Sequence, residues 1–219
     1  MRNAVLLPTL NEEEAIGEVL ERIHDVDGYD LEPVVIDGLS TDATVKIAKE
    51  KGARVLMVRE KGKGIAFRAA VGHIIDDYDR FVMLDADMTY PPKYIPRFLE
   101  LLENCDVVRG VRDMDEENML LSHHLGNSLF SITATLLYRK TEDLCTGYLG
   151  FTQEALRSLE LIARGFEIEA NIFAQVCKKE LNVMEVWVDY DQRRGESNLS
   201  GTRDAPKILL MLLKERIRR

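Results

Sequence analysis

Asp85 and Asp87 are separated by a single residue at the end of the apolar run Phe81–Leu84. In an extended segment residues i and i+2 point the same way, so both carboxylates can reach one point. Two carboxylates with open positions suit a hard divalent cation, Mg²⁺ or Mn²⁺, bridging the phosphates of a ligand. A solvated acidic turn is the plainer alternative. Two other apolar runs end in polar residues, at Pro8-Thr9-Leu10-Asn11-Glu12 and at Asp37-Gly38. Lys61-Gly62-Lys63-Gly64 can bring backbone amides and an ammonium against phosphate, or be a flexible surface turn; it lacks the spacing of a P-loop, and no GxGxxG fingerprint occurs in the chain. His123 and His124 are adjacent, face different directions on a helix and make a poor metal pair, which suits structural or surface residues.

The elements that position these residues follow from apolar periodicity. Asn3–Leu7 reads as a buried strand, and Ile16, Val19, Leu20 and Ile23 fall at i, i+3, i+4 and i+7 of a helix that Asn11 and Glu14 can cap as a box. Pro33–Ile36 is a second strand, and Ser40-Thr41-Asp42 can cap a helix that runs to Gly52. Strands at Ala53–Val58, Phe81–Leu84 and Val107-Val108 alternate with a helix from about Ile65 and a proline-started helix carrying Ile95, Phe98, Leu99 and Leu102. A longer helix after Asn118, marked by Leu125, Leu129, Ile132 and Leu136, leads to a short strand near Tyr148–Phe151, a helix from about Glu167 to Lys179 and a late edge strand at Val183–Tyr190. Alternation at this spacing predicts an α/β fold with a mostly parallel central sheet flanked by helices. In such sheets ligands bind beyond the carboxyl ends of the strands, which is where the polar residues above collect.

With 219 residues, 46% of them hydrophobic, the chain has material for one sizeable core and is neither disordered nor fibrous. A net charge of −9 argues against general attraction to nucleic acid, so an anionic ligand needs a local site. Cys105, Cys145 and Cys177 show no CxxC spacing and fit reduced, structural thiols. The first residues lack the sections of a signal peptide, and a cytoplasmic location is expected.

Charge is segregated along the chain. From Arg193 to Arg219 there are eight basic and three acidic residues, including Arg194, Arg203, Lys207 and Lys214. The run Ile208–Leu213 falls far short of the ~20 residues of a membrane span. Followed by Lys214-Glu215-Arg216-Ile217-Arg218-Arg219, it can instead lie in a membrane interface with arginines at lipid phosphates, or pack on its own core or a partner subunit. The expected organisation is a main domain over 1–204 and a basic amphipathic helix over 205–219, peripheral on the cytoplasmic face of a membrane.

Three motifs in order resemble the inverting family 2 glycosyltransferases of GT-A fold. Pro8–Glu13 is similar to their PxxNE opening, Asp37–Asp42 to their D(D/G)GSxD turn, and Asp85-Ala86-Asp87 with Pro91-Pro92 to their DxD metal motif. Asp143–Tyr148 resembles the D-x-x-[ST]-G-[FY] segment of the dolichyl-phosphate sugar synthases, Glu169 falls where their helix carries an acid, and Glu185–Leu199 is similar to their E-V-P…R-x-G-E-S-K-L tail. Archaeal members that load the first hexose or N-acetylhexosamine onto dolichyl phosphate for protein N-glycosylation look most alike.

The resemblance implies a nucleotide-sugar donor, a polyprenyl phosphate acceptor and a divalent cation held by Asp85 and Asp87. Pro8, Leu10, Glu12 and Asp37 would take the nucleoside, and Lys63 is a further substrate-binding candidate through its ammonium. Arg112 and Arg193, backed by Arg194, Ser197 and Arg203, would take the acceptor phosphate, since guanidinium forks match phosphate oxygens. An acceptor phosphate is already an anion, so no catalytic base is required. Thr89 replaces a glutamine usual in mannose-transferring relatives, which favours a UDP-sugar over GDP-mannose. Leu149, His124 and Asn198 are further departures from the pattern. A GDP-mannose-dependent synthase, a transferase with a small soluble acceptor that uses Lys63, Gly64 and Arg68, and a non-catalytic nucleotide-sugar-binding protein remain as alternatives.

Overall fold

In a computed structural model of the chain, the described residues are 1–113, 121–195 and 197–218, with the backbone alone described over 121–126. The helix start expected after Asn118, the side chains of His123, His124 and Leu125, and Glu196 lie outside them.

Strands β1 (Asn3–Thr9), β2 (Leu31–Asp37), β3 (Arg54–Met57) and β4 (Arg80–Met83) form a parallel block in the order β3-β2-β1-β4, linked by helices α1 (Ile16–His24), α2 (Thr44–Glu50) and α3 (Lys63–Ile74). Leu6 pairs with Val34 on one side and Met83 on the other, so the carboxyl ends of these strands open at one edge. After β4 the chain makes a 3-10 turn at Pro92–Tyr94 and continues through α4 (Ile95–Leu101), β5 (Val107–Asp113), α5 (Leu121–Leu137), β6 (Leu149–Thr152), α6 (Gln153–Ser158), α7 (Ile168–Lys178), β7 (Val183–Asp189) and α8 (Gly201–Ile217). β6 inserts antiparallel between β4 and β5, and β7 lies parallel to β5 at the edge. The mostly parallel sheet is thus present, with one reversed strand; the short helix α6 has no counterpart in the periodicity reading.

Residue alternation sends each strand's side chains to two cores. Ala4 and Leu6 of β1 face Phe67, Phe81, Phe151 and Leu212, while Val5 and Leu7 face Leu20, Val35, Phe98 and Leu99. Helix α1 buries Ile16, Val19, Leu20 and Ile23, the face its spacing predicts.

The capping box at Asn11 and Glu14 does not form: the helix is preceded by Ala15, with no side-chain cap. Asn11 takes a left-handed φ of 56° and turns to the loop after β2, where its Oδ1 accepts from Thr41 N at 2.8 Å. Glu13 Oε2 accepts from Ala43 N at 2.8 Å, and Asp42 Oδ2 accepts from Glu13 N at 3.2 Å, so these polar residues brace two strand-end loops together. Asp42 Oδ1 also accepts from Thr44 N at 3.0 Å just ahead of α2, whose N-cap position is Ala43 with no side-chain cap, and Gly52, at φ 79°, follows the end of that helix.

Helix α8 begins at Gly201, so the boundary expected at 204/205 falls inside it. One face belongs to the main core. Ile208, Met211 and Leu212 are buried there, and the fully buried Glu215 accepts from Asn171 Nδ2 at 3.2 Å and Gln175 Nε2 at 2.6 Å. The other face leaves Leu210, Leu213 and Ile217 exposed.

Candidate active site

The polar ends of β1, β2 and β4 converge on a cleft of ≈ 1280 Å³ walled on its far side by residues of α5 and α8. Its floor is acidic. Asp85 and Asp87 follow β4, and Asp87 is 1% exposed, with Oδ1 accepting from Thr89 N at 3.0 Å and Thr89 Oγ1 at 2.5 Å. Thr89 therefore fixes the Asp87 rotamer. Asp85 lies so close to Gly147 that a Cβ there would stand 2.5 Å from its Oδ2, which accounts for glycine in the Thr146-Gly147-Tyr148 segment.

Each of the two aspartates is bound by one cation, and each cation is held from behind by a glutamate. Lys63 Nζ lies 2.6 Å from Asp85 Oδ1 and 2.7 Å from Glu169 Oε1 at the start of α7. Arg193 pairs with Asp87 Oδ2 and stands 3.6 Å from Glu12 Oε1. Burial opposes ionisation throughout this cluster. It pushes Glu12 up to about 8, with the neighbouring Asp87 charge second, and raises Asp87, with Asp85 second. For Asp85 the same burial is outweighed by the Lys63 ammonium, and its carboxyl is held low; Lys63 is held above its ordinary range by its two carboxylates despite desolvation.

Glu12 Oε2 is buried and accepts no hydrogen bond, and the buried Asp87 Oδ2 meets only the Arg193 guanidinium. Hard oxygen donors, buried, mutually repelling and short of hydrogen bonds, fit a divalent cation such as Mg²⁺ or Mn²⁺. Among the described residues no group of three or more His, Cys, Asp or Glu is arranged to hold a metal, so the remaining positions would fall to ligand oxygens.

Several expected site residues take other positions or partners. Pro8, Leu10, Glu12, Lys63, Arg193, Ser197 and Arg203 line the cleft, and Arg112 lines it too. The Arg112 fork, however, is closed on Asp143 by Nε and NH2 bonds of 2.7 Å each, and its guanidinium stacks 5.0 Å from the Tyr190 ring centroid. Asp37 is fully buried and accepts from Leu39 N at 3.0 Å and Ser40 N at 3.1 Å, which shapes the β2 turn and leaves Gly38 as the cleft surface. Arg194 points out to Glu18 on α1, its backbone N–H donating to the Asp87 carbonyl at 3.0 Å. Lys61-Gly62-Lys63-Gly64 is not an open phosphate cradle: Gly64 N and Ile65 N donate to the Gly165 and Arg164 carbonyls at 3.2 Å. A Cβ on Gly62 would fall 2.1 Å from the Arg164 carbonyl oxygen, so the glycines admit the 163–165 segment against the start of α3.

The residue-by-residue reading missed Asp143 as the partner of Arg112 and Lys207 as a lining residue, held at 2.9 Å by Asp204. The i, i+3 spacing of Asp204 and Lys207 was the available signal.

A sheet of this order, with its carboxylates and cleft at the strand ends, defines a GT-A glycosyltransferase. Residues 4–159 match the family model described as glycosyl transferase family 2, and the chain belongs to that family. It is 35% identical to the dolichyl-phosphate hexose transferase of Haloferax volcanii, covering 98% of this chain and 96% of that one. It is 31% identical to the dolichol-phosphate mannosyltransferase of Pyrococcus furiosus, over 92% of this chain and 60% of the other. Its fold is shared with glucosyl-3-phosphoglycerate synthase of Mycobacterium tuberculosis, solved with Mn²⁺, UDP-glucose and phosphoglyceric acid, at a TM-score of 0.81 and 23% identity over 98% of this chain and 79% of that one.

Proposed function

We propose that this glycosyltransferase moves a hexose or N-acetylhexosamine, with inversion, from a nucleotide diphospho-sugar to a polyprenyl phosphate of the dolichyl type. The observation that carries the chemistry is the acidic pair Asp85 and Asp87 at the cleft floor, with Arg193 ion-paired to Asp87. The acceptor class rests on likeness to the Haloferax volcanii hexose transferase over nearly both full lengths. The resemblance to archaeal members adds an early step of protein N-glycosylation, and Thr89 favours a UDP-sugar. Identity to the Pyrococcus furiosus dolichol-phosphate mannosyltransferase supports mannose as the transferred sugar in the second reading, a GDP-mannose-dependent synthase.

In the transfer, an oxygen of the acceptor phosphate attacks the anomeric carbon from the face opposite the diphosphate. The bond from that carbon to the diphosphate oxygen breaks, and its electron pair leaves on the nucleoside diphosphate. Mg²⁺ or Mn²⁺ held by Asp85 and Asp87 would supply Lewis-acid stabilisation of that leaving group. Pro8, Leu10 and Gly38 wall the nucleoside end, where Asp37 holds the loop in shape. Arg193, with Ser197 and Arg203 on the same rim, offers donors to the acceptor phosphate. Arg112, committed to Asp143, contributes positive potential at the cleft wall.

The acceptor's apolar chain needs a surface as well. Leu129, Ile132 and Leu136 of α5 and Leu210, Leu213 and Ile217 of α8 are exposed on two helices that pack together, each set at i, i+3 and i+7. Lys140, Lys214 and Arg216 are exposed on the same two helices and their flanks. This pattern supports peripheral contact with an anionic membrane surface. No helix among the described residues is long and apolar enough to cross a membrane.

The test is transfer of labelled sugar from a panel of UDP- and GDP-sugars to dolichyl phosphate, with Mg²⁺ or Mn²⁺ and with chelator. Chelator-sensitive labelled lipid from a UDP-sugar is the expected result. Absence of lipid product from every donor, with transfer to a small phosphorylated acceptor instead, would overturn the acceptor assignment.

A further inference from the structure

Glu169 touches neither Asp87 nor Arg193, and the acceptor phosphate leaves it no base to be, yet it is buried against the cleft floor. Its partner is Lys63, whose Nζ stands 2.6 Å from Asp85 and 2.7 Å from Glu169. Lys63 thus has one carboxylate that belongs to the cation site and one that does not. The backbone on either side of it is fixed: Gly62 and Gly64 lie against the Arg164 and Ala163 carbonyls, where a Cβ would come within 2.1 and 2.7 Å of the oxygens. Glu169 is equally fixed, because α7 is buried along most of its length and is tied to α8 by Asn171 and Gln175 on Glu215.

We propose that Glu169 is a positioning residue that retains the Lys63 ammonium at the cleft floor when a divalent cation takes Asp85. This rests on the cation reading of Asp85 and Asp87 given above. An ammonium shared between two carboxylates is held less tightly by either, so Asp85 can exchange it for a stronger ligand. Without Glu169, Lys63 has Asp85 alone as its counter-ion, and the pair closes against the incoming cation. With Glu169, the displaced ammonium keeps a partner next to Asp85, where the donor phosphates meet the cation. Arg193 repeats the arrangement on the other aspartate, between Asp87 and Glu12.

The experiment measures Mn²⁺ affinity in the presence of UDP, by the electron paramagnetic resonance of free Mn²⁺, for wild type, Glu169→Gln, Glu169→Asp, Lys63→Met and the Lys63→Met/Glu169→Gln double variant. Removing both members of a buried ion pair is often tolerated where removing one is not, so the double variant keeps the test open if Glu169→Gln folds poorly. Glu169→Gln is expected to weaken Mn²⁺ binding about tenfold, the size typical of losing a residue behind a metal ligand. Glu169→Asp should recover most of that loss. In the Lys63→Met background the same Glu169→Gln change should have little effect, because no ammonium remains to be held. Wild-type affinity in Glu169→Gln, or an equal loss in both backgrounds, would overturn the positioning role while leaving the cation site intact. No Mn²⁺ binding by wild type would instead remove the cation reading and this inference with it.

Discussion

At the cleft floor every named charge is paired: Lys63 with Asp85 and Glu169, Arg193 with Asp87 and Glu12, Arg112 with Asp143. Along the outer faces of α5 and α8 the arrangement is reversed, with six large apolar side chains exposed and the basic residues beside them in water. The floor fixes atoms to within hydrogen-bond distances, as the proposed stabilisation of a leaving diphosphate requires. The helix face specifies only polarity and sign, which suits a surface without fixed atomic positions such as a bilayer interface. Damage to the floor should therefore stop chemistry on any acceptor, whereas damage to the face should matter only when the acceptor lies in a membrane.

The largest effect is expected from Asp87→Ala. Loss of this carboxylate should lower transfer by about 10²–10³-fold with both vesicle-borne and detergent-dispersed acceptor, and chelation of wild type should have the same acceptor-independent effect. Labelled-product rates in the two acceptor formats check this. Full activity in Asp87→Ala would break the distinction at its base.

Much of the floor was legible because it depends on local rules. Apolar runs end at Glu12, Asp37 and Asp85, and a two-residue spacing aligns Asp85 with Asp87. What was not legible depends on partners far along the chain. Arg112 meets Asp143 across 31 residues, and Arg194 meets Glu18 across 176, so spacing gave no hint that one fork is closed and the other points outward. The glycines beside Lys63 looked like a phosphate loop because glycine permits close backbone approach, and the approaching backbone is the 163–165 segment. Asn11 and Glu14 suggested a capping box, but a left-handed Asn11 turned the polar groups to the neighbouring loop. On α8 the packing reading of the tail holds for one face only: Ile208, Met211 and Leu212 pack on the core, while Leu210, Leu213 and Ile217 are exposed.

An intermediate effect is expected from Leu213→Asp/Ile217→Asp. These side chains are 47% and 81% exposed, so folding stability should stay within about 0.5 kcal/mol of wild type. Co-sedimentation with anionic vesicles should fall about tenfold or more, since each apolar side chain gains roughly 1.5–3 kcal/mol when buried. Activity on a short-chain, detergent-dispersed acceptor should be retained. Unchanged vesicle binding would transfer this face from a lipid surface to a protein partner.

The smallest effect separates the floor's electrostatics from its chemistry. Burial, and then the Asp87 charge, pushes Glu12 up to about 8 from an ordinary value of 4.5. Between these values the folded chain holds a proton that the unfolded chain has released, so stability falls as pH rises through the window and levels off above it. In chelator, the Tm of wild type should therefore drop by several degrees from about pH 5 to about pH 8.5, at roughly 2–4 °C per kcal/mol for a chain of this size. Glu12→Gln is neutral at every pH and keeps the shape of the side chain, so its Tm should be flatter over that range and higher than wild type at the alkaline end. The helix-face variant carries no buried carboxylate change and should follow the wild-type slope. If Glu12→Gln also keeps the wild-type slope, the proton resides on Asp87, the other carboxylate that burial raises, and Asp87→Asn becomes the variant that should flatten the curve.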